Sequence, residues 1–167
     1  MKKIAFYWVL LLMTNSALAN PIANDMPVID LNNGIYEVPV KTGLSYQDVV
    51  DSLKSVSQEM NFITAAKFDI SEQMKKREID PQGKKEVYAI CNLTLGTDIM
   101  IDHPEFIVFA PCRLALYEKK GNLFLGLARP TFDLKSIKNP TERAKKSAQE
   151  LENKLVELMS RASKGDF

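Results

Sequence analysis

The sequence predicts an α+β domain in which an antiparallel sheet of about five strands carries two long helices on one face. Two observations predict the helices, since an amphipathic helical pattern follows the first strand pattern and a second one closes the chain. A third observation predicts the sheet, because the residues between the helices hold several short strand patterns, two of them joined by a glycine-containing loop. The expected order is strand, helix, a run of strands, and helix.

The first 19 residues have the features of a secretory signal peptide. Lys2 and Lys3 form a positive region, Ile4 to Met13 an apolar run, and a small-x-small site precedes cleavage between Ala19 and Asn20. An apolar run of about ten residues is shorter than the roughly 20 residues that a membrane-spanning helix needs. We therefore predict a periplasmic or secreted protein that is not attached to the membrane after cleavage.

The remaining sequence divides into an arm and one domain. Residues 20–33 contain two prolines and four asparagines without a sustained period, which predicts a flexible arm, and residues 34–167 form a single domain. After cleavage the chain would have 20 basic and 21 acidic residues. Such a near-neutral chain lacks the basic surface that binds nucleic acid, so the expected partner is an unidentified small molecule or protein.

The first elements of the domain follow from alternation and capping. Residues 35–41 alternate as a strand does, and Pro39 favours an edge position because it has no backbone N–H to donate. Ser45, with Asp48 three residues later, resembles a capping box, and apolar residues then recur at helical spacing. This predicts a helix over residues 45–60.

The middle of the domain contains shorter elements. Residues 61–70 predict a strand, and residues 71–85 a short helical turn followed by a solvated turn. Residues 86–91 predict a third strand, residues 95–102 a short helix, and residues 106–110 an apolar segment that enters the core.

The last elements are a hairpin and a long helix. Residues 113–118 and 123–128 predict two strands joined by a loop that contains Gly121. Residues 141–163 predict an amphipathic helix, with apolar residues on one stripe and charged residues on the other face.

A set of spaced residues resembles the family known as domain of unknown function 302. These residues are Asn92, Gly96, Thr97, Met100, Pro104, Pro111, Arg113 and the aliphatic strand ending at Glu118. The resemblance covers about residues 35–133 and implies a fold similar to that of the TATA-binding protein, β-α-β-β-β-β-α. It implies no DNA binding, because function depends on sites rather than folds, and the family has no agreed activity.

The two cysteines of the chain suggest a disulfide. Cys91 ends one predicted strand and Cys112 begins another, and an exported protein meets an oxidising compartment. If the two strands are antiparallel neighbours, the two Cα atoms would approach the separation that a disulfide requires. We therefore predict a small, non-catalytic binding or accessory protein stabilised by a Cys91–Cys112 disulfide.

The two cysteines and the histidine between them also allow other interpretations. Cys91, Cys112 and the single histidine, His103, are suitable ligands for copper or zinc, with Met100 as a further soft ligand, and the two thiols could instead be a redox pair. Free buried thiols and a surface histidine are the alternatives without a function. A blue-copper centre needs two histidines, so that type is excluded.

No catalytic residues are predicted. The chain has no Gly-x-Ser-x-Gly motif, no glycine-rich phosphate loop and only one imidazole. A candidate binding cleft lies around the short middle helix, where free backbone N–H groups near an arginine would attract an anion; ordinary helix capping and a surface arginine are the favoured alternative. Its candidate residues are Asn92, Gly96, Thr97, His103 and Arg113.

Overall fold

The structure, a computed structural model, describes residues 32–167 of the 167-residue chain. The predicted signal peptide, its cleavage site between Ala19 and Asn20, and most of the predicted arm lie outside the described residues. Within residues 32–167, no helix has the length and apolarity needed to cross a membrane.

Five strands and five α-helices make up the described domain, together with two short 3-10 helices. In chain order the strands and α-helices are β1 (Ile35–Pro39), α1 (Tyr46–Glu59), β2 (Ile63–Asp69), α2 (Ile70–Lys75), β3 (Lys85–Cys91), α3 (Leu93–Asp102), β4 (Cys112–Lys119), β5 (Asn122–Ala128), α4 (Pro130–Asp133) and α5 (Glu142–Ala162). The 3-10 helices are Pro104–Phe109 and Leu134–Ser136. The order confirms the predicted α+β architecture, with the short helices inserted between the expected elements.

The five strands form one antiparallel sheet in the order β1-β5-β4-β3-β2. Strand β1 lies at one edge, as Pro39 predicted, and β2 lies at the other edge. The chain therefore places its first two strands at opposite edges and fills the centre with β3, β4 and β5. Helix α1, which connects β1 to β2, has to cross the sheet.

One face of the sheet carries the core. Alternating strand residues point to this face and are buried, for example Ile90, Leu116 and Leu125. They pack against the apolar stripes of α1 and α5, where Val56 and Leu155 are fully buried. The two long helices therefore share one face of the sheet, and the opposite face has no long helix over it.

Local signals explain where these elements begin and turn. The Ser45 hydroxyl accepts a hydrogen bond from the Asp48 backbone N–H, and the Asp48 carboxylate accepts one from the Ser45 N–H, which is the predicted capping box. The hairpin between β4 and β5 turns at Lys120 and Gly121, whose φ angles of +53° and +77° are those of a type I′ turn. Glycine adopts the positive φ of this turn without steric cost.

Two segments differ from the prediction. The apolar segment predicted over residues 106–110 lies largely within a 3-10 helix, in which Phe106 is buried but Ile107 and Val108 are exposed. Helix α4 was not predicted, because a four-residue helix is too short to show a periodic pattern. Phe106 is therefore the buried core residue of the first segment, and the partly buried Phe109 packs against the same cluster.

A buried ion pair joins the end of the sheet to α5. The Arg129 and Glu152 side chains are 3% and 1% exposed, and the Arg129 Nε lies 2.9 Å from the Glu152 Oε1. The second carboxylate oxygen accepts hydrogen bonds from the Thr131 backbone N–H, at 3.0 Å, and from the Thr131 hydroxyl. Arg129 also donates to the Asn33 carbonyl at 2.7 Å. The pair therefore fixes the start of β1, the segment after β5 and the middle of α5 relative to one another.

Candidate ligand-binding cleft

The predicted disulfide is wrong, because both cysteines are free. Strands β3 and β4 are antiparallel neighbours as expected, but their register places Cys112 opposite Ile90 rather than opposite Cys91. Directly opposite residues of neighbouring strands approach most closely, so the offset of one residue leaves the two cysteines near each other at the strand ends but not bonded.

The environment of the two thiols also disfavours thiol chemistry. Burial raises the pKa of Cys91, and burial together with the neighbouring Cys91 and Asp133 raises the pKa of Cys112 to about 12. The thiolate is the nucleophile and the metal ligand, so at neutral pH these groups stay in the less reactive form.

The alternative interpretation, a metal site, is also wrong. No group of three or more His, Cys, Asp or Glu residues within residues 32–167 is arranged to hold a metal ion. His103 instead ends α3, where its Nε2 accepts a hydrogen bond from the Thr141 backbone N–H at 3.0 Å. Its Nδ1 lies 3.8 Å from the Glu105 carboxylate. His103 therefore connects the end of α3 to the start of α5, and the copper or zinc role predicted for Cys91, His103 and Cys112 is not supported.

Some of the predicted cleft residues do come together. Asn92 and Gly96 line a small cavity of about 30 Å³ with Met100 and both cysteines. A cavity of this size holds about one water molecule. Thr97 and His103 are not part of its lining.

The remaining predicted cleft residues have structural contacts or lie elsewhere. The Asn92 side chain caps α3 by accepting a hydrogen bond from the Leu95 backbone N–H, and the Thr97 hydroxyl donates to the Leu93 carbonyl within the same helix. Arg113 lies on the face of the sheet opposite α1 and α5, in an open groove of about 330 Å³. The structure therefore separates Arg113 from the N-terminus of α3.

A larger cleft, which the sequence did not predict, opens between α1 and the strands β2, β3 and β4. Its volume is about 490 Å³. The lining consists mostly of apolar side chains with a few polar ones: Val50, Leu53, Lys54, Ser57, Gln58, Phe62, Ile63, Thr64, Lys67, Tyr88, Ile90 and Leu114. Tyr88, Ile90 and Leu114 are buried residues of the two central strands and form the floor.

The cleft exists because β2 does not fill the space beneath α1. Thr64 and Lys67 lie opposite Ile90 and Tyr88 in the neighbouring strand and share their face of the sheet. A threonine is short, and the long side chain of Lys67 keeps its ammonium group near water. Helix α1 contributes another small residue, Ser57, on its side of the space. An apolar surface is therefore left accessible where a larger residue on β2 would have closed it.

A buried carboxylate lies at one end of this cleft. Glu86 of β3 is 3% exposed, and its Oε2 accepts a hydrogen bond from the Tyr88 hydroxyl at 2.7 Å and lies 2.9 Å from the Lys67 Nζ. Burial raises the pKa of Glu86, but the nearby Tyr46, Lys67 and Tyr88 groups outweigh it and lower the pKa. The carboxylate is therefore charged at neutral pH and fixes the Lys67 ammonium at the wall of the cleft.

The tyrosines beside this carboxylate stay protonated. Burial, followed by the charge of Glu86, raises the pKa of both Tyr46 and Tyr88 far above neutral pH. The Tyr46 hydroxyl is buried near Glu86 but makes no hydrogen bond in the structure. The two phenols consequently act as neutral neighbours of the carboxylate, and only Tyr88 donates to it.

The sequence contains one sign of the network formed by Glu86, Tyr88 and Lys67. Glu86, Tyr88 and Ile90 alternate along β3, so a carboxylate occupies a position on the core face of a central strand. A buried charge requires a partner, and Lys67 is the residue directly opposite Tyr88. Finding the pair from the sequence would have required the register between β2 and β3, which includes an irregularity between Thr64 and Ala66.

Fold and cleft together define a single-sheet α+β domain with a preformed apolar cavity at one edge. A sequence profile described as "Domain of unknown function DUF302" matches residues 36–162. The chain therefore belongs to this family. The match includes the C-terminal helix, beyond the stretch over which the sequence resembled the family.

Two similar proteins are known only as uncharacterized. An uncharacterized protein of Aquifex aeolicus (strain VF5) is 32% identical over 85 residues, which are 50% of this chain and 53% of that protein. The chain thus aligns with about half the length of this relative. The crystal structure of an uncharacterized conserved DUF302 protein from Bacillus stearothermophilus matches with a TM-score of 0.70 and 20% identity, over 77% of this chain and 98% of that one. This second likeness confirms the fold.

Proposed function

We propose that the protein binds a small, largely apolar molecule in the cleft between α1 and the strands β2, β3 and β4. The observation that carries the proposal is the cavity of about 490 Å³ with a floor of buried apolar residues. Sites for small molecules are concave, mostly apolar, and on the order of 300–1,000 Å³ in volume. The cleft has this size and lining.

The cleft is preformed rather than a transient opening. Its floor belongs to β3 and β4, which are central strands of the sheet and pair on both sides. Its roof is α1, which is held on the sheet by fully buried Val49 and Val56. A rigid floor and roof lower the cost of ordering the site when a ligand binds.

We also propose that the protein acts in the periplasm or outside the cell. The support is the lysine-led apolar segment of residues 1–19 with its small-residue cleavage site. A cleft that binds apolar molecules suits such a compartment, because a carrier keeps them soluble in water.

The proposed function can be tested with the neutral fluorescent probe N-phenyl-naphthylamine. The probe is excited in its own absorption band rather than in that of the protein. We expect the protein to bind it at one site with a large gain in emission. Thr64→Trp should weaken this binding by about tenfold or more, because an indole fills the cleft from the exposed edge strand. The described residues contain no tryptophan of their own, so the new indole also reports whether the cleft wall is folded.

Thr94→Trp is the matched control, since Thr94 is an exposed threonine of α3 outside the cleft lining. This variant should bind the probe as the wild type does. Absence of probe binding by the wild type, or equal binding by wild type and Thr64→Trp, would refute the proposed function.

A further inference from the structure

The charged residues in the cleft lining are both basic. Lys54 of α1 and Lys67 of β2 line the cavity, and no aspartate or glutamate is among the lining residues. The two lysines are on different elements, so their side chains reach the opening from the helix side and from the sheet side. An opening with this charge attracts an anion and disfavours a cation.

The Lys67 ammonium is held in position and retains hydrogen-bonding capacity. Its Nζ lies 2.9 Å from the Glu86 Oε2 and 5.6 Å from the centre of the Tyr88 ring. An ammonium group has three donors, and Glu86 accepts only one hydrogen bond from it. The Lys67 side chain is 44% exposed, so a molecule in the cleft can reach its ammonium group.

Lys54, unlike Lys67, has no carboxylate partner in the described part of the chain. Within residues 32–167 it makes no ion pair or side-chain hydrogen bond, whereas Lys67 is paired with Glu86. The cleft therefore has one fixed ammonium and one that is not neutralised by a neighbouring carboxylate.

We propose that the ligand has an apolar body and one anionic group, such as a carboxylate, which binds between Lys54 and Lys67. This inference rests on the proposed function, since it specifies the chemical class of the ligand for the same cleft. The apolar body would lie between Val50 of α1 and Ile63 of β2, which keep exposed apolar surface in the cleft, and the anionic group would remain at the opening, where water is close. The charged group then avoids the cost of full burial.

A matched pair of probes separates the two claims. Anilinonaphthalene sulfonate is N-phenyl-naphthylamine with an added sulfonate, so the two probes share an apolar body and differ in one negative charge. We expect the wild type to bind the sulfonate about fivefold more tightly, and this preference should decrease with added salt. In Lys54→Met the ratio of the two affinities should fall to about one, because the sulfonate loses its unpaired ammonium partner.

The control is Lys138→Met, because Lys138 is an exposed lysine outside the cleft lining. It should keep the preference for the sulfonate. A second test uses the double variant Lys67→Met/Glu86→Gln, which removes the ammonium without leaving a buried charge unpaired, and a partial loss of preference is expected because Lys54 keeps its charge.

The outcomes distinguish the two proposals. Equal binding of both probes by the wild type, or a preference that survives in both Lys54→Met and the double variant, would overturn the inference and leave the apolar cleft standing. Binding of neither probe by the wild type would overturn the proposed function itself, and the inference with it.

Discussion

Replacing Glu152 by alanine is expected to lower the free energy of unfolding by about 3–5 kcal/mol. Arg129 is 3% exposed, so the variant removes the Glu152 carboxylate that pairs with a buried guanidinium charge. The Thr131 backbone N–H would lose its acceptor as well. Urea denaturation followed by circular dichroism measures the change.

Glu150→Ala is the matched control on the same helix. The Glu150 side chain is largely exposed and makes only a long contact, 3.9 Å, with Lys146. A surface substitution of this kind changes stability by about 0.5 kcal/mol or less. If Glu152→Ala and Glu150→Ala had the same small effect, the ion pair would not hold β1, β5 and α5 together as described.

Lys67→Met is expected to lower the free energy of unfolding by about 1–2 kcal/mol at pH 7. This loss is smaller than the loss expected when a fully buried ion pair is broken, because Lys67 is partly exposed. The variant leaves the buried Glu86 carboxylate without its ammonium partner. In the wild type the folded-state pKa of Glu86 is lowered, so its stabilising contribution is present above the unfolded pKa of about 4.3 and is lost as the pH falls through the lower folded value.

The stability difference between the variant and the wild type should itself depend on pH. Removing Lys67 removes two of the causes that lower the pKa of Glu86 while burial still raises it, so this pKa should rise and protonation of Glu86 should relieve the destabilisation. The stability deficit of Lys67→Met relative to wild type should therefore be largest near pH 7 and shrink as the pH approaches about 4. The double variant Lys67→Met/Glu86→Gln should recover most of the stability at pH 7. A deficit that did not change with pH would show that Glu86 is not the group left unpaired.

The elements that the sequence predicted are those with strong local signals. The capping box at Ser45 and the turn at Gly121 fix their positions through neighbouring residues alone. The edge position of β1 followed from Pro39, which lacks a donor. Because these signals are local, the architecture could be predicted before the strand pairings were known.

The errors and omissions concern contacts between distant residues. The disulfide prediction placed Cys91 and Cys112 at adjacent strand ends correctly, but it failed on an offset of one residue in the register. The cleft depends on Thr64 and Lys67 meeting α1, which no local pattern shows. His103 was a candidate metal ligand in the sequence. Its observed contact is a hydrogen bond from the backbone N–H of Thr141, at the start of α5 and 38 positions away.

The most direct test of the central claim is to map the bound probe by nuclear magnetic resonance. Titration of isotopically labelled protein with N-phenyl-naphthylamine should shift the backbone amide signals of cleft residues such as Leu53, Thr64 and Ile90. Signals of Val108 and Phe109, which line the groove on the opposite face of the sheet, should stay unchanged. Shifts concentrated on that opposite face, with the cleft signals unmoved, would contradict the assignment of the cleft as the binding site.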